Sequence, residues 1–150
     1  MTPAGAAEPS DALVGLVETC RRGELRFHDA AAGIDDPILR QLCESYAEQR
    51  AGFRRELLDE LAELGGVPPA GAPGLESAGD RPASRTAHPS EIVTLAELAR
   101  REASAESAYR NALVLGLPDH ATGTVERQHE QVQDALKHLS LLERTLPASA

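Results

Sequence analysis

Four stretches of this 150-residue chain carry apolar residues at alternating steps of three and four. No other feature constrains the fold as tightly. Such a stripe is one face of an α-helix, and that face must be buried against something. The first stripe runs Leu13, Leu16, Val17, Cys20, Glu24, Phe27, Ala31, Ile34. The second runs Leu39, Leu42, Tyr46, Arg50, Phe53, Leu57, Leu61, Leu64. The third runs Ile92, Leu95, Ala99, Glu102, Glu106, Tyr109, Leu113, Gly116, and the fourth Val125, Gln128, Val132, Ala135, Leu139, Leu142, Leu146. The period-two alternation of a half-buried strand is absent. Four helices with one apolar face each predict an all-α four-helix bundle.

Local signals set the boundaries at about 11–33, 37–65, 91–116 and 119–146, all within a single domain spanning 1–150. Ser10 or Asp11 is the expected N-cap of the first helix, and Asp36 followed by Pro37 opens the second. Gly65-Gly66 suits a C-cap. Residues 66–90 hold five of the ten prolines and no helical period, which predicts a loop. At ~3.3 Å per residue it spans up to ~80 Å, against ~42 Å for a 28-residue helix. It is therefore long enough to cross the whole bundle and leave helices two and three parallel, the ferritin-like connection.

Composition narrows the function classes. A net charge of −9 argues against nucleic acid and against an anionic membrane surface. No apolar run approaches the ~20 residues of a membrane span. The start of the chain has no basic segment followed by an apolar block, so a cytoplasmic location is expected. Cys20 and Cys43 fall on apolar stripes at different heights and are expected to be free thiols.

The interruptions of the stripes are the informative residues. Measured from the turn near residue 35, Glu24 lies ~17 Å up, Arg50 ~20 Å, Glu102 ~18 Å and Glu106 ~24 Å. One inward layer is expected to gather Glu24, Arg50 and Glu102, and the next Glu106 with Gln128 or His129. A guanidinium fork can hold two carboxylates, so a Glu24–Arg50–Glu102 ion-pair network accounts for the first layer. The alternative is a di-metal carboxylate site holding iron or manganese, with Glu24, Glu102, Glu106, Glu126 and His129 as ligands. Glu126 and His129 supply one Glu-x-x-His motif. The second helix has no histidine for another, and Arg50 opposes a cation. Tyr46 and Tyr109 read as core rings whose hydroxyls find a polar partner. The runs "FRRELLDELAE" and "ARRE" read as solvated helix faces.

The stretches "LVETCRRGELRFHDAA", "DPILRQLCESYAEQRAGFRRELLDELAELGG" and "REASAESAYRNAL" resemble a bacterial family of ferritin-like four-helix bundles, itself described as a domain of unknown function. Glu24, Arg50, Phe53, Leu57, Glu102 and Tyr109 stand where that family has the same residue types. The chain departs from the family in a middle segment without Trp, and in Leu136, where relatives often carry His. The resemblance implies the bundle fold and a trace of metal-binding ancestry. No nucleophile–base arrangement and no phosphate-binding glycine loop is present. The expected function is non-enzymatic, through self-association or a protein partner and without a cofactor. The alternative is a metal-binding protein of metal handling or oxidative stress.

Overall fold

The computed structural model describes residues 9–65 and 91–145. The expected loop 66–90, the Leu146 end of the fourth stripe and the side chain of Ile92 lie outside the described residues. Four helices follow one another: α1 Pro9–Gly33, α2 Pro37–Glu63, α3 Glu91–Leu115 and α4 Asp119–Thr145. Among the described residues there is no strand, and no helix is long and apolar enough to cross a membrane.

The helix ends follow local chemistry. Asp36 caps α2 as expected, accepting from the backbone N–H of Ile38 at 2.8 Å and Leu39 at 3.1 Å, with Pro37 in the first turn. Helix α1 differs from expectation. It begins at Pro9, so Ser10 and Asp11 lie inside its first turn and not at a cap. Proline needs no donor there, and Asp11 complements the helix dipole. Gly65 and Gly116 close α2 and α3 in left-handed conformations, φ 74° and 93°, which residues with a Cβ resist.

Helix α1 packs on α2 and α3, and α4 packs on the same two. Helices α2 and α3 thus face each other across the diagonal. Contacts fix the directions. On α1 and α2, Phe27 meets Tyr46 while Gly23 adjoins Arg50, which makes the pair antiparallel. On α1 and α3, Cys20 meets Tyr109 while Arg26 lies near Arg101, again antiparallel. Helices α2 and α3 therefore run in the same direction. Helix α4 opposes α2, pairing Tyr46 with His138 and Glu60 with Thr124.

The core is split into two apolar clusters. One holds Leu13, Leu16, Cys20, Phe53, Leu57, Tyr109 and Val125, the other Phe27, Ile34, Leu39, Cys43, Leu95 and Leu139. Between them on α1, α2 and α3 come Glu24, Arg50 and Glu102, all at most 4% exposed. The second stripe is shifted from its expected course. Cys43 and Ala47 are buried where Leu42 and Tyr46 were expected, and those two are only half-buried at the flank. Steps of four from Leu39 to Cys43 to Ala47 keep small residues inward, where neighbouring helices come close.

Candidate functional site

The polar residues of the interior form two connected groups. In the first, Arg50 reaches from α2 to α3, where Nη1 donates to Glu102 Oε1 at 2.8 Å and Nη2 donates to Oε2. Its Nε donates to Gln49 Oε1 at 3.2 Å. The guanidinium carbon lies 5.4 Å from the ring centre of Phe27 and 5.7 Å from that of Phe53. The chain has only these two phenylalanines, and both flank Arg50, the one fully buried cation among the described residues, where they offer cation–π stabilisation. Burial alone would lower the Arg50 pKa. The facing Glu102 carboxylate outweighs it, and the pKa is held above its ordinary value.

Glu24 is inward as expected, yet Arg50 does not bridge it to Glu102. Its Oε1 pairs with Arg54 Nη2 at 3.0 Å, at an angle outside hydrogen-bond geometry. The expected three-membered network is thus two separate pairs. Arg54 sits four residues after Arg50, one turn further along α2, in the run expected to be solvated, and its side chain is only 12% exposed. Others of that run also reach a neighbouring helix, α4. Glu56 accepts from Gln128 Nε2 at 2.8 Å, and Glu60 accepts from Thr124 Oγ1 at 2.8 Å. A charge run cannot reveal which of its members face a neighbouring helix, because Arg and Glu occur on both faces.

The second group is a chain of hydrogen bonds that touches all four helices. The Gln128 amide donates to Phe53 O at 3.3 Å and to Glu56 Oε1 at 2.8 Å, so its carbonyl faces Tyr109. The Tyr109 hydroxyl donates to that carbonyl at 2.6 Å. Its single proton is then spent, and the Cys20 thiol, 3.1 Å away, must be the donor toward it. Burial pushes the Cys20 thiol up to about 11, and the Tyr109 hydroxyl well above its usual range. Tyr46 likewise finds a partner, His138 Nδ1, at 3.1 Å. Both cysteines are free and buried, in different clusters.

The structure brings Glu106 and His129 together, as expected for the second layer, and holds the other alternative metal ligands apart from them. Glu102 is held by Arg50, and Glu24 by Arg54. Glu106 is half-buried at the edge of α3, between His129 Nε2 at 2.9 Å and Arg110 at 2.9 Å. Glu126 is exposed, because its neighbour Val125 takes the inward position of α4. Among the described residues no three His, Cys, Asp or Glu side chains converge as a metal site would require.

The chain matches no known protein-family model, and no curated protein matches it. One apolar groove of about 300 Å³ lies between the start of α2 and the end of α4, lined by Ile38, Leu39, Leu42, His138 and Leu142. Ile38 is 78% exposed there, and Leu141, beside Leu142 on α4, is 51% exposed. The sequence stripes did not reveal this groove, because Ile38 falls off the inward face.

Proposed function

We propose that the protein is a non-enzymatic, ferritin-like four-helix bundle that acts by association, through the α2–α4 groove, with a second copy of itself. The parallel run of α2 and α3 supports the ferritin-like connection, since α2 ends at the opposite end of the bundle from the start of α3. One observation carries the association: a projecting apolar side chain, Ile38, stands at the rim of an apolar groove on the same face. A knob and a hole on one surface suit a two-fold contact, in which each copy fills the groove of the other. The interior pairs would hold that face in shape without performing chemistry. Two buried thiols without a bridge suit a reducing compartment, in keeping with a cytoplasmic location. The metal-handling reading is not favoured, since each buried candidate carboxylate is already held by an arginine.

Sedimentation analysis over a concentration series tests the reading. The wild type is expected to dimerise, more strongly at high salt, because a net charge of −9 repels its own copy. Ile38→Glu is expected to remain monomeric with an unchanged helical circular dichroism spectrum. A wild type that is monomeric at every concentration and salt would overturn the proposal.

A further inference from the structure

A second cleft, on the other side of the bundle, has the opposite character. It lies between α1 and α3, encloses about 200 Å³ and is lined by Arg22, Arg26, Arg50, Arg101, Glu102 and Ser104, among others. We infer that it is a binding site for a small oxyanion of the phosphate class, with Arg26 as its principal anchor.

The charge balance of the cleft is the first support. Four guanidinium groups face one carboxylate, and both oxygens of that carboxylate, on Glu102, are taken by Arg50. Arg22 has a distant partner in Glu18 at 3.4 Å, and Arg101 is held by Glu97 at 2.7 Å. Arg26 has no ion pair or hydrogen bond among the described residues. A half-buried guanidinium without a counter-ion is costly, and in a chain of net charge −9 a counter-ion would have been easy to supply. Burial, and after it the like charge of Arg101, lower the Arg26 pKa, with Glu102 acting against them. An anion in the cleft would relieve that repulsion.

Geometry is the second support. Gly23, on the α1 wall, lies against Arg50, which forms the closed floor of the cleft at 2% exposure. A Cβ there would stand 3.4 Å from Arg50 Cγ and 3.7 Å from Nη1. Arg50 spends three of its five N–H groups on Glu102 and Gln49, which leaves one on each Nη. Planar N–H forks match the oxygens of phosphate two at a time. Ser104, exposed on the rim, adds a hydroxyl. The volume lies below the ~300 Å³ at which pockets begin to hold drug-sized ligands, so the occupant is a small ion and not a nucleotide. The site is independent of the association face, which uses α2 and α4.

Inorganic phosphate is the probe. It is titrated into the protein at constant ionic strength and followed by phosphorus NMR line width and by calorimetry. The wild type is expected to show saturable binding, and Arg26→Gln to bind about tenfold more weakly or worse. Ser104→Glu, on an exposed position where folding is not at stake, is expected to abolish binding by placing a carboxylate at the mouth of the cleft. No saturation with the wild type, or an unchanged affinity in both variants, would overturn the site.

Discussion

Arg50 and Glu102 meet across the diagonal of the bundle, joined by two parallel hydrogen bonds, with side chains 2% and 3% exposed. The pair separates the two apolar clusters and ties together the two helices that otherwise face each other across the core. A buried ion pair offsets its desolvation only while both members are present. Arg50→Met should therefore leave an unpartnered carboxylate in the core and lower stability by about 3–5 kcal/mol. Adding Glu102→Leu should recover most of that loss, because an apolar pair of similar volume replaces the orphaned charge. Urea titrations of the three proteins measure both effects. A single-variant cost below about 1 kcal/mol would mean that the pair is solvated, as surface pairs are.

How much of this was legible in the sequence depends on the kind of residue. The inward course of α1 could be read residue by residue, because Leu13 through Ile34 keep a single stripe and all are buried. The inward position of Arg50 and Glu102 was legible too, since each interrupts an apolar stripe. Their partners were not. Periodicity gives a residue's angle on its own helix and no information about which neighbouring helix lies opposite. Glu24 therefore went to Arg54, a residue concealed in a charged run. The flanking of Arg50 by Phe27 and Phe53 had one available signal. Each phenylalanine lies three residues after an inward charge, and so on the same face.

Alkaline pH should expose the buried thiols and phenols. Cys20 and Cys43 are both pushed from 9.0 to about 11, chiefly by burial, and Tyr46 from 10.0 to about 12 for the same reason. A raised native pKa means that the native state keeps protons that the unfolded state has already lost. The stabilisation is complete below pH 9 and drains away as pH climbs through 11 for the thiols, and through 12 for Tyr46. Unfolding free energy is expected to fall steadily over that window, and less steeply in Cys20→Ala. Stability that holds level from pH 9 to pH 11 would show the thiols to be solvated.

Divalent metal should leave the wild type indifferent. Glu24 and Glu102 are each engaged by an arginine, and Glu126 points to solvent. Recruiting any two of them to one ion would break a buried pair. Thermal melts with and without manganese(II) are expected to coincide. A rise in melting temperature that disappears in Glu102→Gln would restore the di-metal reading, because non-specific surface binding would not depend on a buried carboxylate.

Gly23 separates two effects that usually travel together, helix propensity and packing. It lies inside α1 with ordinary helical φ, so its backbone needs no glycine. The Cβ of an alanine would come no closer than 3.4 Å to Arg50, an ordinary van der Waals contact. Gly23→Ala should therefore gain most of the ~1 kcal/mol by which alanine exceeds glycine in a helix interior. For a chain of this size that is a rise in melting temperature of about 2–4 °C. Gly23→Leu has the same backbone advantage, but its side chain must displace the Arg50 stem and pull the guanidinium off Glu102. Overpacking of that kind costs about 1–3 kcal/mol, so the leucine variant should melt lower than the wild type while the alanine variant melts higher. If both melt higher, the Arg50 stem can give way to a larger side chain without losing Glu102.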